Sequence, residues 1–246
     1  MGYRVRPEAY GEALHEVYDR MYPGEDTAGA VEFLASLVKP GAKVVEFGAG
    51  TGRLAVPLAE RGLTVHAVDA SPSMLDKLRA NDPGGTITTE CADIAECKGD
   101  GTFDLCYLVC NTLFMVPDAE RQIEVLRRAA EHVVPGGHVV VEVYEPTGLH
   151  RYGRPFVQVR HLSHDQIMID HTDVDPLRQL LVQVHSVVGG GKVTNYTELS
   201  RYAFPRELDL MARLAGLGHE ARYGDWRGGE FTHGARSHVT VYRRRT

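Results

Sequence analysis

The sequence predicts a doubly wound α/β fold with an antiparallel β insertion after its fifth strand, and three observations carry that expectation. From position 27 to about 145, strand-like apolar runs alternate with helical stretches. The runs "KVVEF", "LTVHAVD" and "FDLCYLV" are continuously apolar, as strands of a parallel sheet covered on both faces must be. After Pro146 the pattern changes to polar–apolar alternation broken by glycine-rich turns, which is hairpin texture.

Each element has its own local reason. Val31, Leu34 and Val38 share a helical face, and Pro40-Gly41 ends that helix. "KVVEF" is the first strand, and "GRLAVPLAERG" the next helix, with Pro57 early enough to be tolerated. "LTVHAVD" is the second strand. Ser71 then caps a helix that has Pro72 at its first position. "GTITTECAD" and "FDLCYLV" are the third and fourth strands. In "DAERQIEVLRRAAEHVV" the stripe Ile123, Leu126, Ala130, Val133 marks a helix, and "PGGHVVVEVYEP" is the fifth strand. The segments "FVQVRHLSHDQIMIDHTDVDP", "RQLLVQVHSVV" and "GGGKVTNYTELSRYAF" form the insertion, residues 147–204. "PRELDLMARLAGLG" is a last helix with Leu208, Met211 and Ala215 inward and Gly216 as its stop; "HEARYGDW" and "SHVTVYRR" are strands. One domain over 1–246 with an α/β core at 27–145 is expected.

Composition narrows the function classes. A net charge of −6 with only "YRRRT" locally basic argues against a nucleic-acid partner. The N-terminus lacks the apolar stretch of a signal peptide, and no segment approaches a membrane span. Cys91, Cys97, Cys106 and Cys110 form no CxxC pair, so reduced thiols in a cytoplasmic protein are expected. Cys106 and Cys110, an even number apart, are both expected to face the core. His161, His164, His171 and His185 lie in the hairpins without metal-ligand spacing; they read as ordinary strand histidines, and no metal site is expected.

The motif that carries chemistry is "VVEFGAGTGRLA", Val44 to Ala55, which places Glu46, Gly48, Gly50 and Gly52. A dinucleotide fingerprint would need its third glycine at Arg53; here it comes one residue early. Glycines let backbone N–H groups approach a ligand at a helix N-terminus. A carboxylate at Glu46 would repel a pyrophosphate but attract a cation. A ligand that is part nucleoside and part zwitterionic amino acid bearing a sulfonium suits both features. Asp69 follows Gly48 by about the 20 positions expected of a ribose-binding acid, with capping of the next helix as its alternative. Asp93, in "CAD", can accept from an adenine amino group or serve as an ordinary loop acid. Met74 can pack on an adenine face or in the core.

Taken together, "VVEFGAGTGRLAVPLAERGLTVHAVDASPSMLDKLR", "CADI" and "FDLCYLVCNTLFMV" resemble a class I S-adenosylmethionine-dependent methyltransferase over residues of about 10 to 145. The resemblance implies a Rossmann-like, mostly parallel seven-stranded sheet and S-adenosylmethionine as cofactor. It implies that Glu46, Gly48 and Asn111 lie near the methionine portion, Asp69 at the ribose, and Ala92 and Asp93 at the adenine. Tyr18, Ala49, Gly50, Gly52, Arg53, Ala70, Met74 and Ile94 complete the expected cofactor set. More loosely, the C-terminal half resembles small-molecule methyltransferases of bacterial natural-product pathways, such as aminosugar N,N-dimethyltransferases. Those carry a histidine shortly after the fourth strand, where this chain has Phe114-Met115.

The acceptor pocket is expected over the carboxyl ends of the strands. Its expected walls are Tyr10, Tyr22, Met115, Tyr144, Trp226 and Arg227, with His233 and Glu145 as candidate bases. The tyrosines at 10, 18 and 22 read either as a lid or as packing on a surface helix. The expected partner is a small-molecule acceptor methylated on oxygen, nitrogen or carbon; a homodimer is left open. Two other functions compete: a non-catalytic cofactor-binding scaffold or regulator, and a NAD(P)-dependent oxidoreductase, which would need a second βαβαβ half that this chain replaces with hairpins.

Overall fold

The computed structural model of the protein describes residues 6–22, 26–151 and 155–245; the start of the N-terminal segment and the final Thr246 lie outside them. Two short helices, α1 (Ala9–Leu14) and α2 (Tyr18–Met21), precede α3 (Thr27–Ser36), which Asp26 caps by accepting from Gly29 N at 2.9 Å. The core then runs β1 (Lys43–Phe47), α4 (Ala55–Glu60), β2 (Thr64–Asp69), α5 (Pro72–Asn81), β3 (Thr88–Cys91), β4 (Phe103–Leu108), α6 (Ala119–His132) and β5 (Val133–Tyr144). Four antiparallel strands follow: β6 (Phe156–Ser163), β7 (Gln166–Asp175), β8 (Leu180–Gly189) and β9 (Lys192–Arg201). The chain closes with α7 (Pro205–Leu214), β10 (Leu217–Tyr223) and β11 (Ser237–Arg244).

The larger sheet has seven strands in the order β10-β11-β5-β4-β1-β2-β3. Pairs among β1 to β5 are parallel, while β11 runs antiparallel to both β5 and β10. Strand order reverses between β1 and β4, so a crevice opens there at the carboxyl ends. Val44, Val45, Phe47, Leu105, Cys106, Leu108, Val139, Val140 and Val141 are wholly buried, which is why these strands read as unbroken apolar runs. Ser71 accepts from Met74 N at 3.1 Å and Pro72 opens α5, as their sequence order predicts.

Three local expectations shift. The helix after the glycine motif starts at Ala55, because Gly52 adopts φ +84° and cannot belong to a helix. The buried stripe of α6 keeps Leu126, Ala130 and Val133 as expected, but at its start Gln122 is fully buried and Ile123 only half-buried. Gln122 Nε2 donates to the carbonyls of Leu113, Val116 and Arg201, and its Oε1 accepts from Arg201 Nη1, so a buried amide ties the insertion to the core. Finally, Cys110 lies beyond β4 at φ +55° and is half-buried, whereas Cys106 is in the core; period-two counting fails once the strand has ended.

The four-stranded sheet, β6-β7-β8-β9, is separate from the larger one. Gly190 and Gly191, both at positive φ, make the two-residue turn from β8 to β9. Register pairs Gln158 with Asp170, Asp170 with His185 and His185 with Tyr196, so these side chains share one face. That face meets the N-terminal helices. Arg160 Nη1 donates to Met21 O at 3.2 Å, and Leu162 and Met168 pack with Leu14, Val17 and Met21. Among the described residues no helix is long and apolar enough to cross a membrane.

Candidate active site

The three glycines of the motif do different work. A Cβ on Gly48 would lie 2.5 Å from Thr112 Cγ2, and one on Gly52 2.8 Å from Leu78 Cγ, so both are required for packing within the protein. A Cβ on Gly50 would meet nothing closer than Tyr18 Cε1 at 3.8 Å, in the open space of a cavity. The motif alone suggests amides aimed at a ligand, yet those of Gly48, Ala49 and Gly50 are engaged within the protein. Gly48 N and Ala49 N donate to Val68 O, and Gly50 N to Asp69 Oδ2 at 2.8 Å. At Gly50 the loop therefore offers close approach to bare backbone.

Asp69, at the carboxyl end of β2, also accepts from Ser71 N on Oδ1 at 2.8 Å. Each oxygen thus takes one backbone donor and retains capacity for another, which suits a vicinal diol. Burial pushes its pKa up, and the two backbone donors pull against that. Asp93 accepts from Ala95 N at 2.9 Å and from Arg121 Nη2 at 2.6 Å. Asn111, at left-handed φ +64°, accepts from Tyr144 N on Oδ1 at 2.7 Å, locking the turn after β4 to the end of β5.

These residues border one cavity of about 820 Å³ at the carboxyl end of the larger sheet. Tyr18, Gly48, Gly50, Asp69, Ala70, Met74, Asp93, Ile94 and Asn111 stand at one end. Glu46 does not reach the wall. It is 2% exposed beneath the loop, where Tyr107 Oη donates to it at 3.1 Å. Burial pushes its pKa up to about 8, although Arg53 and Tyr107 oppose the rise. Ala49, Gly52, Arg53 and Ala92 also lie behind the lining: Ala49 is buried, Arg53 Nη1 donates to Thr27, and Ala92 packs on the core.

The other end of the cavity is closed by three elements from distant parts of the chain. Tyr10 and Tyr22 come from the N-terminal segment, Met115 from the 3-10 turn after β4 and Tyr144 from the end of β5, and Gln183, Tyr196, Glu198 and Ser200 from the inner face of the second sheet. Tyr10 and Tyr22 share a hydrogen bond of 3.1 Å between hydroxyls, and Tyr10 meets Tyr18 and Tyr196 edge-on. Glu12 fastens the N-terminal segment across α5, accepting from Ser71 Oγ, Ser73 N and Ser73 Oγ. Thr51 Oγ1 donates to Asp19 at 2.7 Å. The tyrosines therefore pack and wall the cavity at once. The hydroxyl of Tyr144 is buried with no partner among the described residues.

Four expected acceptor-side residues are not brought there. Trp226 packs edge-on against Phe33, 5.7 Å between ring centroids, and exposed Arg227 pairs with Asp26 at 3.0 Å. Both are held on the α3 side by the turn after β10. Glu145 and His233 border a neighbouring open cleft of about 1100 Å³ that shares Tyr144, Leu149, Phe156 and Gln158 with the main cavity. Glu145 is engaged by Thr147 N and Oγ1. Conversely, sequence reasoning passed over Glu198. It is 9% exposed, borders the cavity, and accepts from His185 Nε2 at 3.2 Å. Its signal was weak: a carboxylate two residues beyond Tyr196 in a strand that alternates polar and apolar.

An α/β sheet of this order, with a glycine turn after β1 and acids after β2 and β3 around one cavity, defines a class I S-adenosylmethionine-dependent methyltransferase. The chain belongs to that family, and a family model described as a methyltransferase domain matches residues 44–137. It is 31% identical over 245 residues to the cypemycin N-terminal methyltransferase of a Streptomyces species, covering 97% of this chain and 98% of that one. The solved CcbJ methyltransferase from Streptomyces caelestis is 33% identical with a TM-score of 0.92, covering 98% of this chain and 100% of the other. The sugar N-methyltransferase KedS8 from Streptoalloteichus sp shares the fold at 20% identity, with a TM-score of 0.70 and 100% of both chains covered. S-Adenosylmethionine is the cofactor, and the bare backbone at Gly50 beside Asp69 fits it. The scaffold and oxidoreductase readings are not favoured.

Proposed function

We propose that the protein methylates an amine nitrogen of a small-molecule or peptide acceptor. The observation that carries this reading is Glu198, a carboxylate set among the phenols of Tyr10, Tyr22, Tyr144 and Tyr196 at the end of the cavity away from Gly50 and Asp69. Aromatic faces attract a cation by about 0.5–2 kcal/mol each, and a carboxylate adds charge and a hydrogen bond. An ammonium matches that chemistry; a neutral alcohol does not. The 31%-identical relative is named as an N-terminal methyltransferase, which points the same way.

In this reading Asp69 holds the ribose, Asp93 and Ile94 border the adenine, and Gly48, Gly50 and Asn111 border the methionine portion. When bound, S-adenosylmethionine supplies a methyl group on a sulfonium, an electrophile that needs no further activation. The protein's own contribution is then alignment and exclusion of water, which can contribute about 7–11 kcal/mol. A proton acceptor at Glu198 adds about 10²–10⁴-fold. The whole chain acts as one catalytic unit, residues 147–204 forming the acceptor wall. Four cysteines with no disulfide among the described residues support a reducing, cytoplasmic setting.

The test is transfer of labelled methyl from the cofactor to paired amines and alcohols of matched shape. Label should enter amines and not alcohols. Label confined to alcohols or carbon acids would overturn the reading.

A further inference from the structure

Glu198 is the end of a row. On the inner face of the second sheet, Arg160 Nη2 lies 2.7 Å from Asp170 Oδ2, His185 Nδ1 2.6 Å from Asp170 Oδ1, and His185 Nε2 3.2 Å from Glu198 Oε2. The row crosses four strands, alternates in charge, and touches the cavity only through Glu198 among its members. Asp170 and His185 are 1% and 3% exposed. The inner face of a small antiparallel sheet is ordinarily secured by apolar pairs, and burying ionisable groups there costs stability. Among the described residues no His, Cys, Asp or Glu group is arranged to hold a metal, so ligation does not account for the row.

Burial pulls the pKa of His185 down, but hydrogen bonds to Asp170 and Glu198 outweigh it and push the value up to about 9. The ring is therefore an imidazolium at neutral pH, donating through Nδ1 to Asp170 and through Nε2 to Glu198. Tyr196 stacks on it at an interplanar angle of 9°, and Tyr10 meets it edge-on. Tyr10, Tyr22, Tyr144 and Tyr196 face Glu198 from α1, the end of α2, β5 and β9, and burial raises the pKa of every one, so none adds charge.

We propose that Arg160, Asp170 and His185 are positioning residues that hold Glu198 as the ammonium-binding and proton-accepting group of the acceptor site. The inference deepens the amine reading above and rests on it. The acceptor ammonium gives one N–H proton to Glu198, and the freed nitrogen lone pair becomes the new N–C bond while the S–C bond to that methyl breaks and its electron pair stays on sulfur as a neutral thioether. The methylated nitrogen leaves as an ammonium, Glu198 returns its proton to solvent, and His185 keeps its own throughout. One proton is released per methyl transferred.

The experiment follows the His185 ring by nitrogen-detected NMR in the full-length protein with the demethylated cofactor bound. His185→Gln assigns the signal. The probes are choline and 3,3-dimethylbutan-1-ol, which share a shape and differ in charge. Choline should shift the His185 signals and the alcohol should not; in Glu198→Gln the ring should titrate at lower pH and ignore choline. In steady state His185→Gln should lower kcat/KM for an amine by roughly tenfold to a hundredfold, move the pH profile, and leave cofactor affinity within about twofold. Should Glu198→Gln not fold, the wild-type probe titration decides alone. A ring indifferent to choline, or a His185→Gln enzyme with wild-type kinetics and pH profile, overturns the proposal. If the wild type methylates amines and the ring is indifferent, only the positioning role falls; if it methylates no amine, the amine reading falls first.

Discussion

Glu46→Gln isolates the energetics of the buried acid beneath the glycine loop. The side chain is 2% exposed, and burial lifts its pKa to about 8 from the ordinary 4.5. Because the folded value lies above the unfolded one, folding favours the protonated form. That contribution is complete below about pH 4.5 and disappears as pH rises through about 8. Across this window the unfolded chain ionises while the folded one stays largely protonated, at about 1.4 kcal/mol per pH unit. Between about pH 5 and pH 8 wild type should therefore lose roughly 3–4 kcal/mol relative to the glutamine variant. Glutamine keeps the shape and still accepts from Tyr107, so packing changes little. Urea denaturation of both cofactor-free proteins across that range reads the difference, in which every other titrating group cancels. Parallel stability–pH curves would refute the reasoning, since they would mean that Glu46 ionises as freely in the fold as outside it.

Two further expectations bear on the cofactor end. Asp69→Ala removes an acceptor for Gly50 N and Ser71 N as well as the proposed ribose contact, so affinity for S-adenosylmethionine should fall at least roughly tenfold, about 1.4 kcal/mol. Unchanged affinity by calorimetry would take Asp69 out of the site. Gly50→Val and Gly52→Val both strain backbone held at positive φ and differ in what the new side chain meets. The first places its side chain in the cavity and should abolish cofactor binding; the second collides with Leu78 and should cost about 1–3 kcal/mol in a melt. A Gly50→Val protein that folds and binds like wild type would remove the loop from the site.

The core sheet was legible because its strands are buried on both faces, so apolar character alone identifies them. Ser71-Pro72 marked its helix start by local chemistry that needs no tertiary partner. The second sheet was legible as hairpins but not in phase. In β7 the apolar positions Ile167 and Ile169 suggest an inward face, yet the structure buries Met168, Asp170 and Thr172. In β8, likewise, Val182 and Val184 are half-exposed, while Leu181 and His185 of the opposite row are buried. An apolar-in rule therefore chooses the wrong face and reads His185 as an ordinary strand histidine. Trp226 misled for the complementary reason: a large aromatic near the chain end looks like a pocket wall until Phe33 is seen to claim it.

The sequence by itself determined the parallel core, the turn after β1 and the acids after β2 and β3, because strand burial, turn conformation and helix capping are set within a few residues of each other. Tertiary structure decided which glycine faces the cavity, that Glu46 lies beneath it, and that residues 10, 144 and 198 meet at its far end. Those outcomes depend on which strand face turns inward and on where an N-terminal helix docks, and long-range packing, not local preference, fixes both.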